Sequence, residues 1–187
     1  VSAPAPRPVE LPRAYRLLNH GPTVLVSAAQ AGRRNTMAAA WNMPLDFDPP
    51  KVAVVLDKST FTRTLVEASG RFMLSVPVRA QAALVTAVGG ASGREVDKEA
   101  VLGLHYLDGE DALPRVAGCV AWLACRLLAE PALQQAHDLF LGEVTAAWAD
   151  PRVFSNGRWH FDGHDDLRTL HHVAGGHYLV PGAAVSG

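Results

Sequence analysis

The stretch NTMAAAWNMPLDFDPPKVAVVLDKSTFT, residues 35–62, constrains the fold of this chain more than any other. Its segment KVAVVL, residues 51–56, is a continuous apolar run with the length and β-branched content of a fully buried strand. Ahead of it, Pro49 and Pro50 cannot donate to a strand ladder and have a fixed φ, so they close the preceding limb as a bend. Residues 36–41 (TMAAAW) have weak intrinsic strand preference, and packing or a ligand must hold them extended. Beyond the apolar run, Lys58, Ser59, Thr60 and Thr62 set one positive charge and three hydroxyls at a helix start, which suits a phosphate. Met37, Ala38 and the two alanines after them leave the backbone bare enough for a flat ring. A ring seat and an anion seat within about thirty residues suggest a nucleotide-like ligand. The same residues also fit a buried hairpin followed by an ordinary capped helix.

The remaining segments point to a mainly β chain. Residues 23–28 (TVLVSA) read as a strand, turned at residues 30–34 so that 36–41 return as its hairpin partner. Residues 60–69 are helical by the spacing of Phe61, Leu65 and Val66, with Gly70 as the stop. RFMLSV at 71–76 is a strand, and 80–88 a short helix ended by Gly89 and Gly90. GGASGREVDKEA, residues 89–100, is a glycine-containing loop; it lacks G-x-G-x-x-G and G-K-[ST] and follows no strand, which excludes a Rossmann or P-loop site. Residues 119–128 and 138–148 form two long strands, and Gly142 marks a bulge or a close approach in the second. Five or six antiparallel strands with short inserted helices are expected to close into a small β-barrel. Residues 14–187 read as one domain behind a proline-rich flexible arm at 1–13.

Composition narrows the function classes. With 187 residues, 49% of them hydrophobic, the chain can bury a sizeable core. A net charge of −1 without basic or acidic runs argues against a nucleic-acid partner. No apolar run approaches the ~20 residues of a membrane span, and VSAPAPRPVELPR has no signal-type apolar region. In CVAWLAC, Cys119 and Cys125 would sit about 20 Å apart on an extended strand, too far to bridge, which points to a reduced, cytoplasmic protein.

The runs GPTVLVSA, RNTMAAAW, DFDPPKVAVVLDKSTFT, HDLFLGEV and AGGHYLV, in this order, resemble the flavin reductase-like family with an FMN-binding split barrel, especially its flavoredoxin-type branch. The resemblance spans about His20 to Val180. It implies a homodimeric split barrel with one FMN per subunit near the interface. By position, Asn35, Thr36, Met37 and Ala38 match the strand along the flavin ring, and Trp41 an aromatic close to it. Lys58, Ser59, Thr60 and Thr62 match the phosphate turn. Lys98 matches a basic residue reaching the cofactor from the glycine-containing loop, His137 a histidine near the phosphate or ring, and Tyr178 a C-terminal aromatic near the flavin.

The implied activity is an oxidoreductase carrying electrons from NADH or NADPH through FMN to free flavin, a small electrophile or a partner oxygenase. The flavin does the chemistry, and no catalytic side chain is expected. A flavin-binding electron carrier or storage protein would use the same seat. His160, His164, His171, His172 and His177 invite a metal reading, but Gly163 and the absence of a fixed element favour surface or dimer-contact histidines and no metal. Glu143, alone on its strand, reads as an ion-pair partner.

Overall fold

A computed structural model of the chain describes residues 4–107 and 113–187. The first three residues of the expected arm lie outside these. The main sheet contains β1 (Arg7–Pro8), β2 (Val24–Gln30), β3 (Arg33–Ala39), β4 (Asn42–Phe47), β5 (Pro50–Val55) and β6 (Arg71–Val76). After two hairpin strands, β7 (Tyr106–Leu107) and β8 (Arg115–Val116), it is completed by β9 (Ala121–Leu128) and β10 (Leu139–Ala149). Among the described residues four α-helices are inserted: α1 (Phe61–Ser69), α2 (Ala82–Gly90), α3 (Lys98–Leu102) and α4 (Pro131–His137). Two further hairpins close the tail, β11 (Phe154–Ser155) with β12 (Arg158–Trp159), and β13 (His171–Ala174) with β14 (His177–Leu179).

Strand order is β3-β2-β6-β9-β10-β5-β4, with β1 added beside β10. Its two end strands, β3 and β4, are separated in the chain only by Ala40 and Trp41. The sheet must therefore curl until its ends meet. Asn42 ties that corner, its Nδ2 donating to the Pro22 carbonyl at 2.9 Å and the Ala39 carbonyl at 3.3 Å. The result is the split barrel that the resemblance implied. Arg7–Pro8, inside the stretch expected to be an arm, pairs with β10 at Ala149 and Trp148.

Burial explains which strands were legible. Val24, Val26, Leu74 and Leu123 point into the barrel with Val54 and Phe140. Leu25, Met73 and Trp122, on the opposite faces of β2, β6 and β9, pack under α2 through Val85 and Val88. Strands buried on both faces read as unbroken apolar runs. Gly142 is a close approach: a Cβ there would sit 2.5 Å from Cζ of Phe72, while the bulge of β10 falls at Thr145. Glu143 pairs with Arg126 at 2.9 Å.

Three expectations are corrected. The limb before the prolines contains a strand of its own, β4, whose pattern is inverted, with Met43, Leu45 and Phe47 facing outward. Gly89 and Gly90 do not end α2 but form its last turn. The glycine-containing loop gives way at Lys98 to α3, capped by the Asp97 carboxylate on the amides of Glu99 and Ala100.

The helix entrance is bolted from below by Arg63. Its buried guanidinium donates to the Leu56 carbonyl (3.1 Å), the Gln134 carbonyl (2.9 Å), Glu67 (2.9 Å) and the Asp138 carboxylate. One side chain thus joins α1, the end of β5, α4 and the start of β10. Arg63→Ala strands those acceptors and should cost about 3–5 kcal/mol in urea unfolding. Gly142→Ala should cost about 1–3 kcal/mol by the same measurement, because it forces Phe72 from its site.

Candidate functional site

As the end strand of the sheet, β3 has one free edge, and a cleft runs along it. Three adjoining cavities make up the cleft. A chamber of about 400 Å³ meets a middle section of about 220 Å³ across Asn35, Phe61, Gly93 and Lys98. The middle section meets an end section of about 340 Å³ across Ala38, Gly89 and Gly90.

The middle section is built around the start of α1. Ser59, Thr60 and Thr62 all line it. Thr60 occupies the N-cap position, but its Oγ1 donates back to the Asp57 carbonyl at 2.8 Å and caps nothing. The first-turn amides of α1 are therefore left without a side-chain acceptor, and its first turn carries no acid. Ser59 is held by Asp57, whose Oδ1 accepts from its amide (2.8 Å) and its hydroxyl (2.6 Å). Across the gap, Asn35 Nδ2 donates to Thr62 Oγ1 at 2.8 Å, fixing both side chains. Gly93 passes against Asn35: a Cβ there would lie 2.2 Å from Oδ1, so only glycine lets the loop close this wall.

Lys98 completes the section. Only 5% exposed, its ammonium donates to the carbonyls of Thr36 (2.7 Å) and Val88 (2.8 Å). Burial lowers its pKa to about 8. No carboxylate pairs with it among the described residues. A cation desolvated against carbonyls, beside uncapped helix amides, attracts an anion. Thr36 contributes only its carbonyl to this arrangement. Its hydroxyl turns away, bonded to Ser27 and Tyr106 at 2.7 Å each.

The end section is bare. Backbone polar groups alternate in direction along an antiparallel edge strand. Since the Thr36 carbonyl turns outward to Lys98, the amide and carbonyl of Ala38, two residues on, turn outward too. Opposite lie Gly89 and Gly90; a Cβ on Gly89 would rest 3.4 Å from that of Ala38. The β13–β14 hairpin forms the far wall, with Tyr178 fixed by its hydroxyl to Thr86 Oγ1 at 3.0 Å and edge-on to His172.

The structure thus gathers Asn35, Met37, Ala38, Ser59, Thr60, Thr62, Lys98, Tyr178 and the Thr36 carbonyl along one cleft. Three of the expected residues stand apart. Lys58 points the other way, bonded to the Gln135 carbonyl at 2.8 Å and near Asp138 at 3.8 Å. His137 is exposed at the end of α4 and lines none of the three sections. Trp41 projects from the β3–β4 corner and is 76% exposed. Sequence reasoning missed Phe61, Gly93 and Arg94. Arg94 donates to the Ser59 carbonyl (2.6 Å) and Thr64 Oγ1 (3.0 Å), so the loop's arginine braces the helix entrance. In the sequence only its place after Gly93 in the glycine-containing loop marked it.

The tail histidines are dispersed. His160 meets Ser155, His171 lies beside His20 and Thr169, and His172 borders the cleft. Among the described residues no group of three His, Cys, Asp or Glu is gathered closely enough to ligate a metal ion.

Residues 16–168 match the flavin reductase like domain, and the chain belongs to that family. It is 48% identical over 183 residues to YddH of Escherichia coli K12, with 96% of each chain covered. The FMN-binding domain of a flavin reductases-like enzyme from Shewanella baltica OS155 superposes with a TM-score of 0.97 at 48% identity, over 100% of both chains. Flavoredoxin of Desulfovibrio vulgaris (Miyazaki F) superposes with a TM-score of 0.77 at 27% identity, over 89% of this chain and 90% of that one.

The buried lysine makes a testable pH signature. Its folded pKa of about 8 lies below the ordinary 10.5. Between those values the unfolded chain holds a proton that the folded protein has released, so stability rises with pH; below the window both states are charged. The unfolding free energy of the wild type minus that of Lys98→Met should therefore climb from about pH 8 to about pH 10.5 and stay level below. A difference level throughout would mean the ammonium is not desolvated.

Proposed function

We propose that the cleft seats FMN and that the protein is an FMN-dependent oxidoreductase using NADH or NADPH. The observation that carries this reading is the polarity of the cleft. One section offers uncapped helix amides, the Thr62 hydroxyl and an uncompensated ammonium. The adjoining section offers an alanine edge and two glycines with room for a flat ring. The family and the FMN-binding relative from Shewanella support the same cofactor. When bound, FMN supplies the two-electron chemistry.

The chain's own residues bind and orient. The Thr62 hydroxyl, which accepts from Asn35 and keeps its own hydrogen to donate, and the first-turn amides of α1 hold the phosphate, while Lys98 neutralises part of its charge. The Ala38 amide and carbonyl match the donor and acceptor edge of the ring system. Tyr178 and the β13–β14 hairpin would wall the ring end of the seat, beside which the nicotinamide and then the acceptor would enter. Free flavin or a small electrophile is the acceptor on this reading, with a partner oxygenase served through the released flavin.

The functional unit is a homodimer. Met43, Leu45 and Phe47 are 53%, 47% and 62% exposed on one face of the edge strand β4, and Trp41, just before it, is 76% exposed. A solvated strand with its apolar side outward is a surface awaiting cover. Ala40, the neighbour of Trp41, lines the cleft, so a second copy on this face would border the ring end and bring Trp41 to it. The buried free thiols of Cys119 and Cys125 support a reducing, cytoplasmic setting.

Titration with FMN tests the seat, and anaerobic addition of NADH or NADPH tests the activity. Bound flavin should bleach within seconds to minutes; a flavin that binds yet stays oxidised would leave an electron carrier. Thr62→Ala should weaken FMN by about 1–3 kcal/mol, as expected for a charged group losing one hydrogen bond. Phe47→Asp should convert the dimer to a monomer in sedimentation. A wild type that sediments as a monomer removes the dimer reading.

A further inference from the structure

The FMN seat leaves the section of the cleft beyond Lys98 unused. The chamber of about 400 Å³ beyond Lys98 opens directly from the phosphate section. Its volume falls in the range of small-ligand sites. Two walls pair a guanidinium with an aromatic ring: the Cζ of Arg33 lies 4.3 Å from the centroid of Phe61, and that of Arg34 4.7 Å from the centroid of Tyr106. Arg94 approaches Phe61 at 5.4 Å. Arginine and aromatic side chains are the groups on which a flat purine base stacks.

The charges here are not all spent. Arg34 is held in a fork by Glu99, and Asp97 is occupied in capping α3. Arg33 and Arg94 have no carboxylate partner among the described residues; Arg94 bonds only the neutral oxygens of Ser59 and Thr64. Glu95 also lines the chamber. A carboxylate repels phosphate but accepts from ribose hydroxyls or an exocyclic amine. Two cations near the phosphate section, flat cationic walls and one acceptor fit a nucleotide better than a bare polyanion.

We propose, on the basis of the flavin reading, that the chamber binds an adenylate group. Its favoured source is the AMP half of FAD, because the chamber continues from the place where the flavin phosphate would sit. In that pose the second phosphate of the diphosphate meets Arg33 and Arg94, and the adenine enters between the Arg33 and Arg34 planes. The other source of the same chemistry is the adenylate of a nicotinamide dinucleotide bound beside FMN.

Arg33 is exposed at the start of β3 and lines the chamber alone among the three sections, so Arg33→Gln is a probe that should leave the fold intact. Affinities for FMN and FAD are measured by flavin-fluorescence quenching, and AMP is titrated calorimetrically into FMN-loaded protein. With FAD as the source, wild type binds FAD at least as tightly as FMN, and Arg33→Gln weakens FAD about tenfold while FMN changes less than about twofold. With the nicotinamide dinucleotide as the source, FAD binds more weakly than FMN, yet AMP binds the FMN-loaded protein and Arg33→Gln weakens it about tenfold. The proposal is overturned if AMP does not bind and Arg33→Gln shifts FMN and FAD equally. Absence of both FMN and FAD binding would instead remove the flavin reading. AMP titrated into the unloaded protein would then decide the chamber by itself, with binding lost in Arg33→Gln supporting it and no binding ending it.

Discussion

A buried ammonium held only by carbonyl oxygens is the constraint on which the site depends. Lys98 bonds Thr36 on the free edge of β3 and Val88 in α2. Three elements are thereby fixed in relation to one another, and the cleft is the space among them. The arrangement needs β3 to be an end strand, since an inner strand would have spent the Thr36 carbonyl on a neighbour. It also needs α3 to begin where it does, and the Asp97 cap sets that point. Carbonyls solvate the charge without cancelling it, so a unit of positive charge stays available to whatever enters.

Arg63 supplies the contrast. It too is a buried cation, but Glu67 and Asp138 lie against its guanidinium. Its charge is compensated within the fold, and its role is to tie α1 to α4, β5 and β10. The two residues flank the same helix entrance, one from the core side and one from the cleft side. The difference between a structural and a binding cation is therefore read from partners, not from burial. Lys58 makes the same point from outside: its ammonium is directed to the Gln135 carbonyl and Asp138, so adjacency to the hydroxyl turn in sequence does not bring it to the cleft.

The strands that could be read from the sequence are those with one unambiguous signal. β2, β5, β6, β9 and β10 carry apolar runs or clear alternation, and α1 carries both its spacing and its Gly70 stop, which adopts φ +66° and donates to Val66. β4 escaped because its alternation is inverted, Met43, Leu45 and Phe47 facing outward, and because Pro44 interrupts it. α3 escaped because five residues carry no helical period. At the site, the hydroxyls of residues 59–62 and the bare Ala38 were legible, since local spacing alone places them. The chamber arginines were not. Arg33 and Arg94 are 61 positions apart in the chain, and only the closure of the glycine loop against Asn35 brings both to Phe61.

The inverted strand and the graded cleft bear on each other. A barrel whose sheet ends meet at Ala40 and Trp41 has its ligand edge and its uncovered apolar face at one corner. The edge strand β3 leaves backbone groups free for a ligand, while β4 leaves side chains free for a partner. Covering β4 would remove water from the neighbourhood of the bare section, where an uncharged ring is proposed to lie, and leave the cationic chamber at the opposite end solvated. Low dielectric would then surround the reacting ring, and high dielectric the anionic tail. That ordering would suit the proposed flavin chemistry, since charge is needed for holding at one end and excluded from the reacting ring at the other.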